Sequence, residues 1–108
     1  MAELNTAGQD GITVRTRHQD GTPVISVSGE LDLTNAGEVR SAIEAAVSGD
    51  GQRVVFEVSD LTFMDSSGIA LLASVARHVR EVELRDPTPI VRRLIEMTGL
   101  DKVLRMTP

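Results

Sequence analysis

The sequence predicts an α/β domain: a mixed sheet of four to five strands that opens with an antiparallel hairpin and continues with alternating helices packed on the sheet. Three features lead there. Apolar and polar residues alternate through the first part of the chain and then switch to helical spacing. Asp20-Gly21, a dipeptide suited to tight hairpins, separates the first two extended segments. Beyond Thr34, helical stripes and short β-branched runs take turns, as they do where parallel strands are joined by right-handed crossovers.

The segment from Met1 to Gly11 is polar and small and reads as a flexible tail, leaving residues 12–108 as one domain. Ile12 to His18 begins in alternation, a strand with one wet face. Pro23 to Gly29 alternates again, with Val24 and Val27 interrupted by Ser26 and Ser28, and completes the hairpin. Ala36, Val39, Ile43, Ala46 and Val47 then form a helical stripe. Asp32 or Thr34 is placed to cap its start, and Gly49-Asp50-Gly51 to end it. Arg53 to Ser59 carries Val54, Val55, Phe56 and Val58, a run suited to a strand buried on both sides. Ile69, Leu72, Ala73, Ala76 and Val79 mark a second helix, and Val82 to Arg85 a short strand. Thr88-Pro89 starts a third helix through Ile90, Val91, Leu94 and Ile95, with Gly99 as its C-cap. A last strand is expected around Val103 and Leu104.

Composition narrows function by exclusion. The chain has 11 Lys and Arg against 16 Asp and Glu, no Tyr or Trp and only two Phe. Nucleic-acid binding calls for a basic face and usually for stacking aromatics, so a protein partner is the better expectation. The absence of cysteine excludes disulfides and thiolate chemistry. With neither a secretory signal nor an apolar run near the ~20 residues that cross a bilayer, a cytoplasmic protein without membrane contact is expected. No motif for a cofactor or a metal is present.

Chemistry is concentrated in Leu61 to Leu72, where a strand end leads into a helix start, the edge at which α/β sheets place their sites. Asp65, Ser66 and Ser67 fall where a helix leaves backbone N–H groups unpaired. Residue types alone favour simple capping, with Gly68 providing close packing. The functional reading is a serine hydroxyl that accepts phosphate, an anion that the positive end of a helix tolerates. Hydrolase chemistry is disfavoured. His78 lies roughly 16 Å from Ser67 along the helix, and Ser67 has no Gly-x-Ser-x-Gly elbow. His18 is not excluded by spacing, but it and His78 read as ordinary surface residues, and no enzyme activity is expected.

Phe63-Met64-Asp65-Ser66-Ser67-Gly68 together with Gly29-Glu30-Leu31-Asp32 resembles the signature pair of STAS domains, specifically the bacterial anti-sigma factor antagonists. Arg93 to Leu100 resembles the closing helix and Gly-Leu turn of that family. The three matches fall in the right order and span most of residues 12–104. The resemblance implies a STAS-like fold and a partner switch. The antagonist binds an anti-sigma factor with serine kinase activity and frees its sigma factor. Phosphorylation separates the pair, and a PP2C-type phosphatase resets it. Carried over by position, the phosphoacceptor is Ser67, and Asp32, Asp65, Ser66, Ser67 and Gly68 form the partner-binding edge. The alternative within the same fold is a non-phosphorylated scaffold subunit of a lipid transporter or a stress-sensing complex. Two departures stand out: the Gly68–Pro89 segment is shorter and lacks a Gly-rich turn, and the chain stops at Pro108 where many relatives continue into a helix.

Overall fold

The computed structural model describes residues 4–6, 11–47 and 52–108. Seven strands and three α-helices follow in order: β1 (Leu4–Thr6), β2 (Ile12–Gln19), β3 (Thr22–Leu31), α1 (Ala36–Ala46), β4 (Arg53–Glu57), β5 (Leu61–Met64), α2 (Ser66–His78), β6 (Glu81–Arg85), α3 (Pro89–Thr98) and β7 (Arg105–Thr107), counted among the described residues. The mixed α/β fold and its opening hairpin are as expected. The strand count is higher than four to five because two short strands carry no periodicity of their own. One is β1, a three-residue edge that pairs antiparallel with Val14–Thr16 inside the segment read as a tail. The other is β5.

The hairpin turns at Asp20 and Gly21, both at positive φ (52° and 82°), the backbone that a two-residue turn between twisted strands needs. Beyond it, β3, β4, β6 and β7 run parallel. Between β4 and β5 the chain makes a short turn, and the two strands occupy one lane beside β3: β4 pairs Val24–Ser26, and β5 pairs Gly29–Leu31.

One face of this sheet meets the helices. Ile12, Val14, Ile25, Val27, Val54, Phe56, Val82 and Leu84 pack there against Val39 and Ile43 of α1, Leu71, Leu72 and Val75 of α2, and Val91 and Ile95 of α3. The innermost residues of α2 are Gly68, Leu71, Leu72 and Val75. Of the expected stripe, Leu72 is buried in the core, whereas Ile69, Ala73, Ala76 and Val79 form a flank half-buried against it. Thr88 caps α3 as predicted, accepting a hydrogen bond from the Val91 N–H, and Gly99 ends the helix at φ 78°. A 3₁₀ turn, Leu100–Lys102, then delays the last strand to Arg105, leaving Leu104 buried and Val103 exposed. The short Gly68–Pro89 segment is accommodated without a glycine: Val79 and Arg80 alone link α2 to β6, with the Arg80 N–H bonded to the Gln52 carbonyl. The expected Gly49-Asp50-Gly51 ending of α1 lies outside the described residues.

The other face carries no helix among the described residues and is polar. Arg17 grips Glu57 through both terminal nitrogens at 2.9 and 2.8 Å, and Ser26 donates to the same carboxylate. Arg17's two hydrogen bonds, opposed by burial and reinforced by Ser26, hold the Glu57 carboxyl at about 2 against an ordinary 4.5. Glu83 is buried, which works against its charge, yet Thr107, Arg53 and Arg85 bond to it and hold its carboxyl below the ordinary range.

A depressed carboxylate stabilises the fold above its ordinary value, and that contribution is lost as pH falls toward the folded value. Between about pH 5 and pH 2 the unfolding free energy of the chain falls by about 1–3 kcal/mol more than that of Glu57→Gln. Urea titrations followed by circular dichroism measure the difference, and parallel pH curves would refute it.

Candidate functional site

A register defines the site. Parallel pairing between β3 and β5 ends at Leu31↔Met64, so Asp32 and Asp65 leave the same edge of the sheet in adjacent lanes. A last backbone bond, Asp65 N–H to the Leu31 carbonyl at 3.1 Å, joins the two exits. The two sequence motifs, more than thirty residues apart in the chain, therefore form one edge. This register needs Gly29. The residue sits at φ 103° beside an irregularity in the β3–β5 pairing, and a Cβ there would stand 2.0 Å from the Gly11 carbonyl oxygen. Only glycine fits that close approach. Thr62 ties the same place together by donating its hydroxyl to the Gly29 carbonyl at 3.0 Å.

On the β5 side, Asp65 is the N-cap of α2, and its Oδ1 accepts the Ser67 N–H at 2.8 Å. The Gly68 and Ile69 N–H groups turn back to the Asp65 carbonyl. The capping role expected from residue types is thus real, and it falls to Asp65 rather than to either serine. Ser66 and Ser67 are the first two helical residues, Ser66 exposed and Ser67 half-buried. Gly68 is buried where a Cβ would meet Met64 Cγ at 2.3 Å, Met64 Sδ at 2.7 Å and Leu31 Cδ2 at 3.0 Å, so the first turn of α2 lies directly on the ends of β3 and β5.

On the β3 side, Asp32 folds a tight turn. Its Oδ1 accepts the Thr34 hydroxyl at 2.6 Å and the Thr34 N–H at 3.0 Å. Neither Asp32 nor Thr34 is the helix N-cap: that position is Asn35, which makes no capping bond into α1. Asn35 instead faces back to the strand, accepting the Asp32 N–H at 2.9 Å and donating to the Glu30 carbonyl at 2.8 Å. It is 1% exposed, a buried amide that clamps the loop.

Two apolar side chains flank the acidic pair and were not picked out as site residues from the sequence. Leu33 is 78% exposed and Phe63 is 41% exposed. Leu33 follows Asp32 outside any apolar stripe, a signal the sequence offered. Phe63 was quoted only within its motif, and which of the two phenylalanines faces out depends on the register of β5. His78 lies at the far end of α2, its Nδ1 against the Ser74 carbonyl. The helix thus separates it from Ser67. Among the described residues no cluster of His, Cys, Asp and Glu is arranged to hold a metal ion, and no helix is long and apolar enough to cross a membrane.

The family model described as "Mlab, STAS domain" matches residues 14–107, nearly the whole domain. The chain belongs to the STAS-domain family of anti-sigma factor antagonists. It is similar to the anti-sigma-F factor antagonist RsfB of Mycobacterium tuberculosis (strain ATCC 25618 / H37Rv), 31% identical over 102 residues that cover 90% of this chain and 82% of the relative. An anti-sigma factor antagonist from Mycobacterium paratuberculosis superposes with a TM-score of 0.83 at 33% identity, covering 95% of this chain and 91% of that one. The antagonist SpoIIAA in its unphosphorylated form gives a TM-score of 0.72 at 26% identity, covering 88% of each chain. The Bacillus cell fate determinant SpoIIAA in its phosphorylated form gives 0.65 at 25%, covering 88% of this chain and 91% of the other.

In this STAS chain the contact of Gly68 with Met64 and Leu31 sets the height of the serine turn above the sheet. Gly68→Ala gains helix propensity but overpacks a closed contact, so it lowers stability by about 1–2 kcal/mol net. Denaturant unfolding measures it. A neutral or stabilising result would mean that Met64 moves aside freely.

Proposed function

We propose that the chain binds an anti-sigma factor through the edge formed by Asp32, Leu33, Phe63, Asp65, Ser66, Ser67 and Gly68, and that this binding frees a sigma factor. The anti-sigma factor is also the serine kinase that phosphorylates Ser67, and the phosphate ends the complex. A PP2C-type phosphatase restores the binding form. The switch works in the cytoplasm and involves no chemistry performed by this chain. The observation that carries the reading is the placement of Ser67. It is partly exposed in the first helical turn, next to a capping carboxylate and one lane from a second aspartate, on an edge that also presents two uncovered apolar side chains.

The physics supports release by modification. A phosphoserine brings about −1.5 to −2 charges at neutral pH. Beside Asp65 and Asp32 that charge is repelled by carboxylates and loses water on docking, while the positive end of α2 keeps the free chain folded. A penalty of about 3 kcal/mol weakens binding more than a hundredfold. Names of relatives support the partner class, and a solved relative bears the phosphorylated state in its name.

Incubation with the cognate anti-sigma kinase and ATP, followed by mass mapping, adds one phosphate at Ser67 and none to Ser67→Ala. Phosphate on Ser66 instead, or no modification by any kinase that binds the chain, would overturn the assignment. Ser67→Glu weakens binding while the melting temperature shifts by no more than a few degrees, because an acid in the first turn suits the helix dipole.

Leu33→Ala and Phe63→Ala each reduce affinity for the anti-sigma factor by about 1–3 kcal/mol in calorimetry without loss of fold. Unchanged affinity in both would remove these apolar residues from the interface.

A further inference from the structure

On the helix-free face of the sheet, arginines stand in rows set by strand register. Arg17, Val24, Val55, Glu83 and Arg105 line one row across β2, β3, β4, β6 and β7, and Arg15, Ser26, Glu57, Arg85 and Thr107 line the next. Arg53 and Glu81 pair alongside. These rows hold five of the chain's 11 basic residues (Arg15, Arg17, Arg53, Arg85, Arg105) against three of its 16 acidic ones (Glu57, Glu81, Glu83). The rows themselves are therefore net positive on a chain whose net charge is −5. Beyond the rows, Asp20 adds a carboxylate at one rim and Glu30 another toward the end of β3.

Two further features separate it from an ordinary solvated surface. Parallel strands are nearly always covered on both faces, yet among the described residues helices cover β3, β4 and β6 on one. Val24 and Val55 lie under arginine side chains, 1% and 2% exposed. The arginines are also fixed in place. Glu83 is bonded by Arg53, Arg85 and Arg105, and Glu57 by Arg17 and Arg85, so docking against them orders little that was free. Their side chains still keep 34–55% exposure. Between them open a depression of about 240 Å³ lined by Gln19, Thr22, Arg53 and Arg85 and another of about 170 Å³ lined by Arg15, Arg17, Ser26 and Glu57. The rows cross the strands over roughly 19 Å at about 4.8 Å per lane, the reach of an extended segment of five or six residues.

We propose that this face is a second docking surface, and that its occupant is an extended, Asp/Glu-rich segment of a partner protein whose carboxylates meet the arginine rows. The face lies across the sheet from the helices and does not include the Ser67 edge, so both surfaces can be occupied at once. A nucleic acid is the less suited polyanion, since the arginine rows contain no aromatic side chain and hold three carboxylates of their own.

Fluorescence anisotropy with a labelled Glu-rich decapeptide at about 20 mM salt, where the Debye length is long, reads the interaction. Binding is expected to fall steeply as salt rises and to drop at least about tenfold in the double variant Arg17→Gln, Arg105→Gln, which alters the two ends of one row. Arg92→Gln, Arg93→Gln on α3 serves as the control and keeps wild-type binding, and circular dichroism confirms the fold of each variant. Equal affinity in wild type and the β-face variant, no binding at low salt, or tighter binding of a single-stranded RNA of matched length would overturn the proposal. Ser67→Glu is expected to bind the peptide as wild type does, so failure here and failure of the switch reading are told apart.

Discussion

One backbone contact, the Asp65 N–H on the Leu31 carbonyl, holds the candidate edge together. It closes the parallel ladder between β3 and β5 and brings two acidic loops into adjacent lanes. Everything that secures it is local and steric. Gly29 lets the strand approach Gly11 within a distance no side chain permits, Thr62 bonds the same carbonyl region, and Gly68 lets α2 rest on Met64 and Leu31. The signature residues are thus divided between tasks. The glycines permit close approach, the aspartates order turns and caps, and the serines open the helix, Ser66 exposed and Ser67 half-buried.

Most of the architecture was legible in residue order because it rests on periodicity. The hairpin, the three helices and the buried strand at Val54–Phe56 all announce themselves through spacing and turn chemistry. The misplacements share a cause. β1 and β5 have three and four residues, too short for a period to register, and β5 buries both its ends, Leu61 and Met64, in the core without alternating between them. The α2 stripe was read from one flank because alanines and aliphatics surround much of that helix, so packing rather than pattern selects Leu71 and Val75.

At the site, residue types revealed the chemistry but not its division of labour. Asp-Ser-Ser allowed either serine or aspartate to cap, and only the observed bond assigns the cap to Asp65. Asn35 was invisible for a different reason. An amide beside Thr34 resembles any N-cap, and its inward orientation follows from the register of β3, which a linear reading does not contain. The charged rows on the opposite face were equally hidden: Glu57, Glu83 and the arginines are scattered along the chain and meet only across strands.

Asn35 has a consequence for binding. With its amide bonded both to the strand end and to the turn at Asp32, this loop is held in shape before any partner arrives. A loop held in one shape has little ordering left to do when a partner docks. A partner meeting this edge therefore meets a preformed surface, and less of its binding energy goes into ordering the loop.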